Sequence, residues 1–259
     1  MTAPTFPSLR VGARHVEYRR LEGDPAHPAL VLLHEGLGCV ALWRDFPDRL
    51  AAVTGRTVFV YSRFGYGGSD AEPLPWPLDY MQREGRDGLP MVLAAAGIGD
   101  CVLIGHSDGA SIALVHAATR GQASVRGTVV MAPHVFAEAC GLDSIRLVRE
   151  QFEQGLREKL ARYHGANVDC AFRGWCDSWL HPDFLHWNLQ AFLPDITAPV
   201  LQIQGMEDQY GTAAQLDAIA AGVRGPCHTH LLEDCRHAPQ FEQPERTLAL
   251  IDDFIRRST

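Results

Sequence analysis

The chain has 259 residues, of which 46% are hydrophobic and 21% charged, a composition that argues against a disordered or fibrous protein. Its formal net charge of -8 argues against a nucleic-acid partner, because duplex binding relies on Lys and Arg that displace counterions. Lys159 is the only lysine, so no polybasic run is present to hold the chain on an anionic membrane. We therefore expect a single α/β core with an insertion, and a small-molecule substrate as the partner.

The search for targeting segments and the use of cysteine both bear on the cellular compartment of the protein. The first thirty residues contain no apolar stretch of signal-peptide length, and nowhere do about 20 apolar residues run together. The seven cysteines are an odd number with no C-x-x-C pair, a pattern typical of reduced thiols. These features predict a cytoplasmic protein; the oligomeric state stays open, and a homodimer is compatible with the sequence.

The pattern of apolar residues predicts short strands separated by longer helices, which indicates a mostly parallel central sheet flanked by helices. Apolar blocks predict strands at residues 15–20, 29–34, 57–62, 101–106, 127–132, 199–205 and 228–233. Helical patterns cover residues 41–53, 78–97, 108–120, 213–223 and 244–257, and we expect Pro90 to break or kink the second of these. The alternation through Leu231 and Leu232 predicts a buried last strand. The surrounding segment CHTHLLEDCRH leaves a zinc site as the weaker alternative.

One interval departs from this alternation. Between Pro133 and Pro199 the sequence shows helical patterns and an aromatic-rich tract but no convincing strand. We predict that residues 1–133 and 199–259 form the core, and that residues 134–198, called the insertion below, form a helical cap. Open α/β sheets bind ligands at the carboxyl ends of their strands, so we expect the insertion to lie there.

The most specific motif is GHSDG, from Gly105 to Gly109, at the junction of a predicted strand and an Ala-rich helix. A serine on so sharp a turn adopts a strained backbone conformation that exposes its hydroxyl, and the flanking glycines let strand and helix approach. Ser107 is therefore the candidate nucleophile. The alternative is a glycine-rich turn in which Ser107 only caps the helix.

A serine nucleophile needs a base and a group that orients the base. Asp208 follows the strand PVLQIQG, and His237 follows the last predicted strand, giving the chain order Ser, acid, His. Because the strands before both residues should end at the same sheet edge as Ser107, we expect the three side chains to converge. Glu207 and Asp234 are the alternatives for the acid.

Five segments together resemble the α/β-hydrolase family, in its serine-dependent form with a helical lid. They are LLHEGLG (32–38), YSRFGYGGSD (61–70), GHSDG (105–109), PVLQIQGMED (199–208) and DCRHAPQFEQPE (234–245). The resemblance implies a triad of Ser107, Asp208 and His237. It also implies an oxyanion hole formed by the backbone amides of Asp108 and Gly36, with Leu37 as the alternative to Gly36.

Two acidic residues depart from the family pattern near the expected oxyanion hole. Glu35 stands where a glycine usually follows His34, and Asp108 follows the nucleophile. Since carboxylates there would oppose a developing oxyanion, we expect both side chains to point away, with Asp108 stabilised by its helix dipole. For Glu35 two interpretations stay open: a salt bridge with a loop arginine such as Arg63, or the orientation of a water or polar substrate group.

Further residues are candidates for loop support or substrate contact. We expect His34 and His106 to support the geometry of their loops. In the insertion, His134 and Arg173 are the first candidates for substrate contact. The aromatic side chains there either line an apolar pocket or pack the core of the insertion; they are Trp175, Trp179, Phe184, Trp187 and Phe192.

The sequence thus predicts a cofactor-independent serine hydrolase acting on small carboxylic esters or lactones. Carbon–carbon bond hydrolysis of ring-cleavage products, thioester hydrolysis and acyl transfer remain alternatives on the same triad, and a non-catalytic receptor is the alternative from another class. Similar enzymes that are haloalkane dehalogenases or epoxide hydrolases carry aspartate at the position of Ser107, so this serine disfavours both activities.

Overall fold

The computed structural model describes residues 5–119 and 123–258, and it contains an eight-stranded sheet. The strands are β1 (Ser8–Val11), β2 (Arg14–Leu21), β3 (Ala29–Leu33), β4 (Val58–Tyr61), β5 (Cys101–His106), β6 (Val125–Met131), β7 (Val200–Gly205) and β8 (Cys227–Leu232). Their order across the sheet is β1-β2-β4-β3-β5-β6-β7-β8. The pairs β1–β2 and β2–β4 are antiparallel and all later pairs are parallel, as the sequence predicted for most of the sheet.

Helices cover both faces of this sheet. They are α1 (Phe46–Thr54), α2 (Tyr80–Arg83), α3 (Leu89–Ala95), α4 (Asp108–Thr119), α5 (Ala139–Gln151), α6 (Arg157–His164), α7 (Val168–Trp179), α8 (Ala213–Gly222), α9 (Pro239–Glu242) and α10 (Pro244–Ser258). Successive residues of β3 face opposite sides. Leu30 and Leu32 join the cluster that contains α1 and α10 residues, whereas Val31 and Leu33 join the cluster with α4. The central strands are therefore buried on both faces, which explains their continuous apolar runs.

Between β6 and β7 the chain forms helices α5, α6 and α7, followed by 3₁₀ turns at Pro182–His186 and Gln190–Asp195. The described part of this segment also makes one isolated bridge, between Phe136 and Asn188. The helical character predicted for the insertion is thus present. None of the helices formed by residues 5–119 and 123–258 has the length and apolarity needed to cross a bilayer.

Several local predictions differ from the structure. The strand β1 was not predicted, and β8 was predicted to be buried although it is a largely exposed edge strand whose Leu231 side chain is exposed. The predicted helix 78–97 does contain the interruption expected from Pro90: a π-helical turn at Glu84–Gly88 separates α2 from α3, and Pro90 lies in the first turn of α3. The predicted end of the helix at residue 120, and the core ends at residues 1–4 and 259, lie outside the described residues.

Candidate active site

Ser107 occupies the turn between β5 and α4. Its φ of 53° lies in the left-handed region, as predicted, where a non-glycine residue is strained. The turn is so tight that a Cβ at Gly105 would lie 2.3 Å from the Gly109 carbonyl oxygen, and one at Gly109 only 2.0 Å from that of Leu33. Glycine at both positions therefore lets the strand, the helix and β3 approach closely enough to form the elbow.

His237 and Asp208 come together in the loops that follow β8 and β7. The His237 Nδ1 atom lies 2.9 Å from Asp208 Oδ1 and 3.0 Å from Oδ2, so an Nδ1–H group donates to the carboxylate. The Tyr210 amide donates to Asp208 Oδ1 at 2.8 Å, and the Tyr210 ring centroid lies 4.5 Å from that of His237. Burial alone would favour the neutral acid, but the hydrogen bond and charge of His237 hold the pKa of Asp208 below its ordinary value.

Ser107 and His237 lie on the wall of one cavity of about 170 Å³. The residues that line it are Glu35, Gly36, Leu37, Ser107, Asp108, His134, Gly141, Ile145, Trp175, Trp179, Tyr210 and His237. Most of these positions were singled out in the sequence; Gly141, Ile145 and Tyr210 were not, because an apolar helix residue or a loop tyrosine carries no local signature. A larger cavity of about 300 Å³, beside Arg63 and Trp76, does not include the serine or the histidine in its wall.

The two positions expected to form the oxyanion hole both lie on the cavity wall. Asp108 is the first residue of α4, and the amides of a first helical turn have no partner within their own helix. Gly36 packs directly against the insertion: a Cβ at this position would lie 2.2 Å from the Trp175 Nε1 atom. Only glycine therefore fits between the loop after β3 and α7.

The Glu35 carboxylate does not pair with Arg63. The buried Arg63 guanidinium donates instead to the backbone carbonyl of His34 and, at 3.1 Å, to that of Glu35. The carboxylate lies instead beside the His106 ring, whose Nδ1 is 3.5 Å from Glu35 Oε2. Burial opposes ionisation of Glu35, but His106 and the charge of Arg63 hold the pKa of the carboxyl below its ordinary value. The salt bridge between Glu35 and Arg63 that the sequence suggested is therefore not formed, and Arg63 contacts the backbone of this loop instead.

The Asp108 side chain is buried and hydrogen-bonded. Its carboxylate accepts from the Tyr80 hydroxyl and, at 3.3 Å, from Trp179 Nε1. Burial raises the pKa of Asp108, although the charge of Arg63 and both hydrogen bonds act in the opposite direction. Asp108 therefore lies in the first turn of α4, as expected from the sequence, and its carboxylate also joins α4 to α2 and α7 by hydrogen bonds.

Two histidines flank the catalytic loops and contact their backbones, as expected. The His106 Nε2–H donates to the His237 carbonyl oxygen at 2.7 Å, which joins the elbow to the histidine loop. His34 accepts the Arg63 amide at Nε2, at 3.1 Å, and lies 2.7 Å from the Glu35 carbonyl oxygen through Nδ1. Both imidazoles are buried.

His134 differs because its ring lies on the cavity wall. Its centroid is 5.3 Å from that of Trp179 and 5.9 Å from that of His237. The Ser111 hydroxyl donates to the backbone carbonyl oxygen of His134 at 2.6 Å. Burial and the neighbouring His237 lower its pKa to about 4, so the imidazole is neutral near pH 7.

Two expected substrate contacts are placed elsewhere. Arg173 is exposed on α7, and Trp187 packs against Phe184, with ring centroids 5.2 Å apart, and against Trp179. Neither side chain lines the cavity. For Trp187 this agrees with the alternative in which the aromatic side chains pack the core of the insertion, and a substrate contact by either residue stays a prediction. Among residues 5–119 and 123–258, no group of three or more His, Cys, Asp or Glu side chains is arranged to hold a metal ion.

The sheet order, the serine elbow and the two loops that bring Asp208 and His237 together define an α/β-hydrolase fold. Residues 30–250 match the model of the alpha/beta hydrolase family, and the chain belongs to this family.

Curated relatives and a solved structure agree with this assignment. Epoxide hydrolase 3 of Xenopus tropicalis is 26% identical over 274 residues, covering 90% of this chain and 73% of that protein. The mouse serine hydrolase BPHL is 23% identical over 264 residues, covering 98% and 87%. The structure of an esterase from Exiguobacterium antarcticum superimposes with a TM-score of 0.77 at 18% identity, covering 97% of this chain and 100% of that one.

Proposed function

We propose that this protein is a cofactor-independent serine hydrolase that acts on small carboxylic esters or lactones. The observation that carries the proposal is the 2.9 Å contact between His237 and Asp208, made beside a cavity whose wall also holds Ser107. A serine hydroxyl is unreactive at neutral pH, and an oriented histidine is the group that activates it. The mouse relative, whose name is serine hydrolase, supports this reading.

The proposed reaction proceeds through an acyl-enzyme. His237 takes the proton of Ser107 as the hydroxyl attacks the carbonyl carbon, and then delivers it to the leaving group. Asp208 holds the imidazole in the required tautomer and stabilises its positive charge. The amides of Gly36 and Asp108, with Leu37 as the alternative to Gly36, stabilise the oxyanion, and water attacks the acyl-enzyme to release the acid.

The cavity size and the insertion support a compact substrate. About 170 Å³ holds a small acyl or alkoxy group but no polymer, and Trp175, Trp179 and Ile145 supply apolar surface. Gly141, Ile145, Trp175 and Trp179 belong to α5 and α7, and with His134 they make the insertion part of the cavity wall. We therefore propose that residues 134–198 act as a cap over the active site.

The Xenopus relative named an epoxide hydrolase raises a second reaction. Similar epoxide hydrolases carry aspartate at the elbow, where this chain has Ser107, so we favour acyl transfer to serine. Carbon–carbon hydrolysis, thioester hydrolysis and acyl transfer to other acceptors use the same triad and remain the alternatives.

The test is labelling by a fluorophosphonate probe, together with turnover of p-nitrophenyl acetate and butyrate and of a dienoate substrate. We expect Ser107 to be labelled and both esters to be hydrolysed, and Ser107→Ala to abolish labelling and nearly all turnover in a folded protein. Ser8→Ala, which removes an exposed serine on β1, is the matched control and should retain both. Turnover of the dienoate alone would favour carbon–carbon hydrolysis, and failure to label Ser107 would favour a receptor.

A further inference from the structure

The cavity of about 300 Å³ beside Arg63 and Trp76, called the second cavity below, is separate from the one that holds Ser107. Among the described residues, the two walls share no side chain. The wall of the second cavity combines buried side chains, such as Arg63 and Tyr66, with exposed ones, such as Pro77, so the cavity opens to solvent. Its volume lies at the lower end of the range of about 300–1,000 Å³ that is usual for small-molecule sites.

The Arg63 guanidinium brings a positive charge to this wall without an ion pair. Its side chain is 3% exposed, and its terminal nitrogens donate to the backbone carbonyls of His34 and Glu35. Asp108 and Glu84 act on it through longer-range charge, but in the described chain neither carboxylate forms an ion pair with it. A buried charge without a paired counter-ion is costly. An anion in the second cavity would therefore supply the partner that Arg63 lacks.

Two uncharged donors on the same wall also lack partners. The Tyr66 hydroxyl and the Trp76 Nε1–H are buried, and neither has a hydrogen-bond partner within the part of the chain that the structure describes. Their ring centroids lie 5.4 Å apart, and the Arg63 Cζ atom lies 4.8 Å from the Tyr66 centroid. An indole N–H can only donate, and a buried donor without an acceptor is costly. The three neighbouring groups thus call for one ligand that accepts hydrogen bonds.

The acidic side chains of this wall have partners of their own. Glu72 pairs with Arg14 at 2.6 Å, and Asp87 is exposed to solvent. Glu84 accepts from the Tyr61 hydroxyl at 3.2 Å, and burial raises its pKa. This shift moves Glu84 toward the neutral acid, a form that donates to a nearby anion instead of repelling it.

Aromatic rings supply much of the remaining surface of the second cavity. The Trp76 ring centroid lies 5.5 Å from that of Tyr80, and the Arg14 guanidinium lies 3.7 Å from the centroid of the Phe64 ring. Aromatic rings pack favourably against one another in offset or edge-to-face arrangements. The apolar part of a ligand that fits this wall is therefore a flat ring.

We propose that the second cavity binds a small aromatic carboxylate. The carboxylate of the ligand pairs with the Arg63 guanidinium and accepts from Tyr66 and Trp76, and its ring packs against Phe64 and Tyr80. None of these five residues belongs to the proposed triad or oxyanion hole, so binding here is independent of the proposed hydrolysis.

Isothermal titration calorimetry with benzoate and benzamide tests the proposal at pH 7. The two probes have the same ring and nearly the same shape, but only benzoate is charged. Charge-assisted hydrogen bonds are about twice as strong as neutral ones, so we expect benzoate to bind at least about 10-fold more tightly than benzamide. Benzoate that binds no more tightly than benzamide would overturn the proposal.

Tyr66→Phe and Trp76→Phe each remove one donor and keep an aromatic ring. We expect each variant to weaken benzoate binding about 10-fold, the effect of losing one hydrogen bond to a charged group, and to change benzamide binding less. The matched control is Trp43→Phe. In the described chain the Trp43 Nε1 is likewise buried without a partner, but Trp43 belongs to the cluster with α1 and α10, on the opposite face of the sheet. This control should keep the wild-type affinity, and circular dichroism checks that all three variants fold.

The variants also decide where benzoate binds. An affinity for benzoate that is unchanged in either Tyr66→Phe or Trp76→Phe would place the ligand elsewhere, including the cavity that holds Ser107, and would overturn the proposal. A loss in Trp43→Phe as large as that in Trp76→Phe would overturn it too, by showing that the effect is not specific to this wall. Absence of Ser107-dependent ester hydrolysis would refute the proposed function and leave the carboxylate site in place.

Discussion

At the residue scale, the pairing of Asp208 with His237 decides which nitrogen of the imidazole is free to act as a base. The carboxylate contacts Nδ1 through both oxygens, so the proton is held there and Nε2 is left free for the proposed role as base toward Ser107. The amide of Tyr210 fixes the carboxylate in turn. Tyr210 thus helps to hold the carboxylate in place, and Asp208 sets the tautomer of His237 in the proposed triad.

We expect Asp208→Asn to lower kcat by a factor on the order of 10⁴, because an amide no longer selects the productive tautomer or stabilises the imidazolium. Steady-state kinetics on p-nitrophenyl butyrate, with circular dichroism to confirm folding, measure the effect. Asp217→Asn, an exposed change on α8, is the control and should retain activity. A folded Asp208→Asn protein within 10-fold of wild type, a threshold of about 1.4 kcal/mol, would contradict the triad.

At the element scale, the strand–elbow–helix unit β5–Ser107–α4 could be predicted from sequence because each part leaves a local signature. The strand is continuously apolar, the helix is Ala-rich, and Gly105 and Gly109 mark the close approach between them. The strand β1 leaves no such signature, since only its last residue, Val11, is buried. The exposure of β8 could not be predicted either, because the sequence of a strand does not show whether it has a neighbouring strand on one side or on both.

In the insertion, the sequence alone did not decide which side chains line the cavity. Trp175 and Trp179 are four residues apart on α7 and share the face that lines the cavity. Arg173 lies two residues before Trp175, about 200° around the helix, so the helical period alone places it on another face. Trp187 follows an irregular 3₁₀ turn, where no period applies. Tyr210 reaches the cavity only through the turn after Asp208.

The contact between Gly36 and Trp175 joins the loop after β3, which carries a proposed oxyanion donor, to α7 of the insertion. A Cβ at Gly36 would lie 2.2 Å from Trp175 Nε1, and the buried indole has little room to retreat. We expect Gly36→Ala to displace the loop and lower kcat/KM by about 100-fold, the effect of losing one oxyanion donor.

The double variant Gly36→Ala/Trp175→Ala should recover about 10-fold of that loss, because removing the indole opens space for the methyl group. Kinetics of both single variants and the double variant complete the thermodynamic cycle. Strictly additive losses would show that the clash does not control the loop, and the role of this contact would have to be abandoned.

At the scale of the whole molecule, the site exists because parallel strands end at one edge. Ser107, Asp208 and His237 are far apart in sequence, yet they follow β5, β7 and β8, which run in the same direction. Assembly of the site also buries imidazoles in the interior. Burial lowers the pKa of four of them, His34, His116, His134 and His164, so the folded state favours their neutral forms.

The same burial makes stability depend on pH. For His134 the unfolded chain takes up a proton near pH 6.5, whereas the folded protein does so only near pH 4. Between these values the unfolded state binds more protons, so the free energy of unfolding falls as the pH drops, by about 3 kcal/mol for this residue. The raised pKa values of Asp108 and Glu84 act in the opposite direction, and a variant is needed to isolate His134.

His134→Gln removes the titrating group. We therefore expect the stability difference between wild type and His134→Gln to shift by about 3 kcal/mol in favour of the variant between pH 7 and pH 4. Urea titrations at the two pH values measure it. His27→Gln is the control, because an exposed imidazole meets the same solvent in the folded and unfolded states. A difference between wild type and His134→Gln that stays constant with pH would show that folding does not lower the pKa of His134.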